Sequence, residues 1–415
     1  MHIVLATMGT DGDVFPYLGL GSALMKRGHR VTLAAPETYQ DRATDLGMEF
    51  ESLVSTVDVE RMLSNPDLWH PFRSGPMMAK WGHPMIPLQY EMLARLASEP
   101  DSIMVANPGV VAARLVQEKL HCPMASLLLQ PGLLPSCTAP PAMPGGLNIP
   151  TWFPDPLRKL YWRAVDFAGY LLVARSLNRF RADLGLGPIR QFFRWWLSPE
   201  LAIGMFPEWY AAPQPDWPSQ LRLVGFGQFD GVRHELPDDL RQFCEAGTPP
   251  IVFTLGTGMM HASEFFREAA AACESIGARG LLLTKYPDVI PAELPSTIRH
   301  CRFAPFRELL PLCKAIVHHG GIGTTAAALE AGCPQLVMPL AWDQPDNGAR
   351  IRKLRVGTVL NSRQRSSQHM ARSLMELTTP ETQAHCRDIA SLARNYNGLS
   401  LAVEMIEEMA SRERP

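Results

Sequence analysis

The residues with the strongest chemical character lie between Val317 and Asn347, which read V-H-H-G-G-I-G-T-T-A-A-A-L-E-A-G-C-P-Q-L-V-M-P-L-A-W-D-Q-P-D-N. Ala315 to His318 is a short apolar strand. Gly320, Gly321 and Gly323 let the backbone turn tightly and come close to a ligand. Thr324 to Ala331 is alanine-rich and favours helix, and Gly332 stops it. Gln335 to Met338 is the next buried strand, and Asp343, Gln344 and Asn347 follow in a polar loop. A glycine turn feeding a helix N-terminus offers N–H groups and the positive end of a helix dipole to phosphate. The polar loop one strand later lies on the same carboxyl edge of a parallel sheet, where it can meet hydroxyls. Phosphate at one end and hydroxyls at the other describe a nucleotide sugar. Transfer of that sugar needs a base for the acceptor's proton and fixed dipoles or cations for the leaving diphosphate. Asp11 and Asp13, in T-D-G-D-V-F-P near the start of the chain, are carboxylates placed directly after a strand. An aspartate there can cap the following helix or act as the base.

The elements that must position these residues form two series. His2 to Ala6 is a buried strand, Pro16 to Arg27 has helical periodicity, Gly28 ends that helix, and Arg30 to Ala34 is the next strand. This is a βαβ unit of the doubly wound type. Strands continue at Ile103–Ala106 and Met124–Leu128, with helices at Thr38–Leu46, Met85–Ala97 and Gly109–Leu120. Gln130 to Pro156 is too rich in proline and glycine for regular structure. A long helix follows over Leu157–Leu184, then late strands at Ile203–Phe206 and Arg222–Gly225. The second series starts at Ile251–Leu255 and continues through Gly280–Thr284, His300–Phe303, Ala315–His318, Gln335–Met338 and Gly357–Leu360. Intervening helices make this a second parallel sheet.

At these motifs the chain resembles GT-B glycosyltransferases of family 1, which include plant, sterol, macrolide and glycopeptide glycosyltransferases. Within that group it is similar to the catalytic chains of bacterial rhamnolipid rhamnosyltransferases, through G-D-V-F-P at 12–16, D-W-P at 216–218, F-D-G at 229–231 and H-x-G-G-I-G at 318–323. The resemblance implies an α/β fold of GT-B type, two Rossmann-like domains facing across a cleft. Residues 1–230 would bind the acceptor, 231–249 would be a linker and 250–398 would bind the nucleotide sugar. Residues 399–415 would form a helix crossing back to the first domain. The resemblance also implies roles. Asp13 would be the general base, with Asp11 a solvated turn residue. His318, Gly320, Gly323, Thr324, Gly256 and Thr257 would hold the diphosphate, and His319 would be a surface or interdomain residue. Asp343, Gln344 and Asn347 would hold the sugar. Phe303, Pro305 and Phe306, in R-F-A-P-F, would wall the base, where relatives carry W-x-P-Q. For Phe303 a packed core aromatic is the competing reading.

The expected activity is inverting transfer of a hexose, without metal or other cofactor, to a hydroxyl of a hydrophobic small molecule or lipid. The donor would be dTDP-rhamnose or UDP-glucose. The alternatives are a UDP-glucose-dependent glucosyltransferase of a lipid, sterol or polyketide, a nucleotide-sugar epimerase, and a non-catalytic GT-B partner subunit. A net charge of −2 gives no reason to expect nucleic acid. Eight scattered cysteines without a C-x-x-C pair suggest reduced thiols and a cytoplasmic protein. The segment 157–196 interleaves Trp162, Trp195 and Trp196 with Lys and Arg. It reads either as a crossover helix with a solvated basic face or as a peripheral contact with an anionic membrane.

Overall fold

A computed structural model describes residues 1–229 and 235–412. Asp230 and Gly231 of the F-D-G motif, and the start of the expected linker, lie outside them. The chain divides into two compact units. The first comprises Met1–Pro141, Gly145–Phe229 and the segment from Asn397 onward; the second comprises Ala142–Pro144 and the described residues up to Tyr396.

The first unit is built on a seven-stranded sheet: β1 His2–Ala6, β2 Arg30–Pro36, β3 Glu49–Val54, β4 Ser102–Ala106, β5 Met124–Leu128, β6 Leu201–Gly204 and β7 Leu221–Leu223. The order is β3-β2-β1-β4-β5-β6-β7, with every neighbouring pair parallel. β1, β4 and β5 are buried along their whole length, which their runs of Ile, Val, Leu, Met and Ala allow. The second unit carries β8 Ile251–Thr254, β9 Gly280–Leu283, β10 Ile298–Cys301, β11 Ala315–His318, β12 Gln335–Val337 and β13 Gly357–Val359, again all parallel, in the order β10-β9-β8-β11-β12-β13. In each sheet the order reverses once, between β1 and β4 and between β8 and β11. At such a reversal the loops leaving the two strands diverge, and the opening between them is where open parallel sheets bind ligands.

Several elements differ from their sequence readings. The first helix spans Asp11–Lys26 and so begins well before Pro16, because Thr10 and Asp13 form a capping box ahead of the proline. β3 was not expected: its sequence E-F-E-S-L-V lies at a sheet edge and is only half-buried. The stretch 65–85 shows no clear periodicity, yet it contains a helix at Ser74–Gly82, ahead of the helix expected at Met85–Ala97, which spans Ile86–Ala97. The long helix expected over Leu157–Leu184 is Asp155–Gly169 and Arg175–Asp183, joined through a π-helical turn at Tyr170–Ala174. The expected loop from Gln130 to Pro156 holds two 3₁₀ turns, Pro131–Leu133 and Pro144–Gly146, and its last two residues already open the Asp155–Gly169 helix.

The last helix, Gly398–Arg412, belongs to the first unit. It buries Ala402, Val403, Ile406, Met409 and Ala410. Its Glu407 accepts from Arg27 at 2.6 Å and pairs with His29 at 2.8 Å. All eight cysteines are free thiols and five are buried. Among the described residues, no helix is long and apolar enough to cross a membrane.

Candidate active site

In the first unit the chain leaves β1 through Thr7 and turns at Gly9, whose φ of +129° places it where a side chain would be strained. A Cβ there would also fall 2.1 Å from Asp13 Oδ2, so the carboxylate lies directly against the turn. Asp13 is the third residue of the helix. Its Oδ2 accepts the Thr10 N–H at 3.0 Å, and Thr7 Oγ1 donates to its carbonyl at 3.0 Å. The cap and base readings are therefore not exclusive, since one carboxylate oxygen serves the cap. Burial pushes the Asp13 carboxyl up to about 6, against the pull of the Thr10 hydrogen bonds, and Asp11 nearby adds to the rise. Asp11 is tied elsewhere: it accepts from the Tyr39 hydroxyl at 2.8 Å and pairs with Arg42 at 3.3 Å. A carboxylate without a cationic partner, titrating near neutrality at the sheet's switch point, has the properties of a general base.

In the second unit two turns meet at the β8/β11 switch point. After β8, Gly256 has φ +78° and donates its N–H to Thr254 Oγ1 at 3.2 Å. The Thr257 carbonyl accepts from the Tyr286 hydroxyl at 3.3 Å. After β11, Gly320 has φ +95°, and the helix Ile322–Ala331 starts from Gly321 with no side chain capping it. Gly321 and Gly323 themselves have ordinary φ values, so only Gly320 of the three needs to be glycine for the turn. Thr324 stands in the first turn, partly exposed, and Gly332 ends the helix at φ +68°.

The histidine pair is assigned the other way round from the sequence reading. His318 is wholly buried. Its Nδ1 accepts the Gly320 N–H at 3.1 Å, which puts the ring proton on Nε2, and this donates to Gln335 Oε1 at 3.0 Å. Burial and the neighbouring His319 lower its pKa to about 3. With both nitrogens spent inside the fold, His318 shapes the glycine turn and has no donor left for a diphosphate. His319 is only half-buried, and its ring lies between the two turns. A Cβ at Gly256 would fall 2.7 Å from its Cε1, and one at Gly321 2.5 Å from its Nε2. Its Nδ1 is buried without a hydrogen-bond partner, and burial lowers its pKa to about 4, so the ring is neutral at pH 7. Of the pair, only His319 stands beside both turns with a ring nitrogen left without a partner. The signal that could have found it is alternation: the last residue of a buried strand points into the sheet's packing, and the next one leaves it.

Asn347 also changes role. It is fully buried, and its Nδ2 donates to the Gly320 carbonyl at 2.9 Å and to Asp343 Oδ2 at 2.6 Å. It braces the glycine turn against Asp343. Gln344 begins the helix Gln344–Lys353, and its Oε1 accepts the N–H groups of Leu340 and Ala341 at 2.7 and 3.0 Å. Of the three residues, Asp343 is the most accessible. Just before it, Trp342 has φ +59° and is 38% exposed, an uncommon conformation for so bulky a residue. Sequence reasoning missed it, because nothing in the pattern marks a left-handed tryptophan.

At the proposed base wall, Phe303 is 41% exposed, which rules out a core packing role. Pro305 is buried and precedes the short helix Phe306–Leu309, and Phe306 packs on the core cluster containing Leu309 and Ile316. Phe303 is the most exposed of the three. Among the described residues, no group of three His, Cys, Asp or Glu is arranged to hold a metal ion.

Residues 3–130 match the glycosyltransferase family 28 N-terminal domain, and residues 284–412 match the erythromycin biosynthesis protein CIII-like C-terminal domain. The chain is 30% identical over 428 residues to O-mycaminosyltylonolide 6-deoxyallosyltransferase of Streptomyces fradiae, covering 99% of this chain and 98% of that one. The chain belongs to the GT-B glycosyltransferases. A sterol 3-beta-glucosyltransferase of Arabidopsis thaliana is 26% identical over 445 residues, covering 100% of this chain and 69% of its own. In fold, this glycosyltransferase matches a spinosyn rhamnosyltransferase solved with thymidine diphosphate, with a TM-score of 0.70 and 17% identity over 98% of this chain and 100% of that one. The glycosyltransferase is an enzyme, a hexosyltransferase that uses a nucleotide sugar. The epimerase and non-catalytic subunit readings fall with that assignment.

Proposed function

We propose that this glycosyltransferase moves a 6-deoxyhexose from a dTDP-sugar to a hydroxyl of a hydrophobic small molecule, with inversion and without metal. The acceptor O–H loses its proton to Asp13 as the oxygen attacks the anomeric carbon. The bond from that carbon to the diphosphate breaks, and the nucleoside diphosphate leaves. A base opposite the leaving group makes this a single in-line displacement, hence inversion. The start of the Ile322–Ala331 helix, Thr324 and neutral His319 receive the leaving charge in place of a metal ion. Asp343 and Gln344 hold sugar hydroxyls, and Phe303 stacks on the base.

The observation that carries the reading is Asp13: a partly buried carboxylate at the β1 switch point, pushed to about 6 and without a cation beside it. The 6-deoxyhexose is supported by the Streptomyces relative, an O-mycaminosyltylonolide 6-deoxyallosyltransferase. Likeness to rhamnolipid rhamnosyltransferases, through the motifs quoted above, favours rhamnose as that sugar. The Arabidopsis relative supports a second reading, UDP-glucose as donor and a sterol-like acceptor.

Thermal melts of the purified chain with UDP, dTDP, UDP-glucose, UDP-N-acetylglucosamine and dTDP-rhamnose, in chelator, test both. The donor held best by the native state shifts the melt most. dTDP-rhamnose first supports the leading reading; UDP-glucose first replaces it with the second. If a shift appears only on adding Mg²⁺, metal independence is lost.

A further inference from the structure

We propose that the exposed face of the Asp155–Gly169 helix, together with the arginine-lined cavity beside it, is where this enzyme docks on an anionic lipid surface. No residue of that helix is buried. Leu157, Leu160, Ala164 and Phe167, continued by Leu171 in the π turn, recur at three- and four-residue spacing and are all exposed. Leu160 and Phe167 are each 60% exposed, so an apolar stripe several turns long faces outward from the first unit. Trp152, just before the helix, is 79% exposed. Lone exposed apolar side chains need no explanation, but a continuous stripe on a helix does.

Charge decides what covers it. From Asp155 to Trp196 the chain has eight Lys or Arg against three Asp and no Glu, although the whole chain is at −2. Beside the helix lies a cavity of about 1100 Å³. Arg163, Arg190 and Arg194 line it with Trp162, Phe193 and Trp196. Among the described residues none of these three arginines makes an ion pair or hydrogen bond, and all three are exposed. The Trp196 Nε1 is buried without a partner. The other charges around the cavity are spoken for: Lys159 pairs with Asp155 at 2.6 Å, Asp216 accepts from Ser136 at 2.8 Å, and Asp166 accepts the Phe193 N–H at 2.9 Å. Arg114 is held by the carbonyls of Trp195 and Leu197.

An apolar stripe with unneutralised arginines at its side matches a helix lying in a membrane interface, its leucines among acyl chains and its cations at headgroup phosphates. The docking does not rest on the acceptor reading, although it would bring the enzyme to apolar substrates.

The test is flotation of the full chain with vesicles of phosphatidylcholine alone and of phosphatidylcholine with about one-third phosphatidylglycerol. Expected is about tenfold greater recovery on the anionic vesicles, lost in the double variant Leu160→Asp, Phe167→Asp. The triple variant Arg163→Ala, Arg190→Ala, Arg194→Ala should lose the preference for anionic lipid. All of these side chains are exposed, so melting temperature and donor-induced shifts should match wild type. Equal recovery on both vesicle types, or no recovery, overturns the proposal. So does light scattering that shows a wild-type dimer which the double variant makes monomeric, because the stripe is then a self-interface.

Discussion

The two switch-point turns follow the same topology and end in opposite chemistry. After β1, the helix start is closed by its own residues: Asp13 reaches back to the Thr10 N–H and completes a capping box. After β11, the helix begins at Gly321, where no side chain caps it, and His319 stands beside it neutral. One turn thus carries a carboxylate and repels a phosphate; the other presents N–H dipoles and attracts one. The N-cap and the third helical position, Thr10 with Asp13 in one turn and Gly321 with Thr324 in the other, make that difference.

Breaking the first turn should have the largest effect. Asp13→Asn keeps an oxygen for the Thr10 N–H but cannot take a proton, so transfer should fall by about 10²–10⁴-fold. Single-turnover rates measure this, with donor-induced melting shifts expected unchanged. A rate near wild type would falsify the base assignment. The same change should stabilise the fold near pH 8. The Asp13 pKa is raised, so the folded state binds the proton more tightly than the unfolded chain, and stability declines as pH rises from about 4 through about 6. The asparagine variant escapes that decline, by roughly 1–3 kcal/mol on paired denaturation curves.

Separating the two histidines sharpens the second turn. His319→Ala should weaken nucleoside diphosphate binding by about ten- to hundredfold with little change in stability, read by calorimetric titration. His318→Ala should cost about 2–4 kcal/mol of stability, since it strands the Gly320 N–H and the buried Gln335 amide. If both variants lose affinity alone, the two roles are not separate. pH distinguishes the turns as well: kcat should fall as pH drops through about 6 while Asp13 protonates, whereas diphosphate affinity should vary little from Asp13 or His319 above pH 5. A bound-state titration near 7 that disappears in His319→Ala would contradict the neutral ring.

Asn347→Ala removes the brace between Gly320 and Asp343 and should destabilise the fold by about 1–3 kcal/mol. The smallest change is expected from Trp342→Gly, which relieves a left-handed backbone worth about 1 kcal/mol and raises the melting temperature slightly.

Much of the architecture was legible in the chain. Apolar runs bounded by glycine or proline marked β1, β5, β8 and β11, and Gly320 and Gly332 marked the turn and the helix end, because positive φ is cheap only for glycine. The edge strand β3 was not legible. Its glutamates make it look like surface loop, and it becomes a strand only by pairing with β2. Nor was the early start of the first helix, where a reciprocal cap outweighs the breaking tendency of Pro16.

By itself, then, the sequence determined two parallel sheets, a glycine turn before a helix, and a carboxylate after the first strand, because these depend on local propensity and on the spacing of apolar residues. Tertiary structure decided that His318 is buried and bonded inside the fold while His319 is only half-buried, that Asn347 is a brace, that Phe303 is exposed, and that burial pushes Asp13 up to about 6. Those properties depend on what surrounds a side chain. Burial and hydrogen-bond partners come from strands far apart in the chain, and no local pattern encodes them.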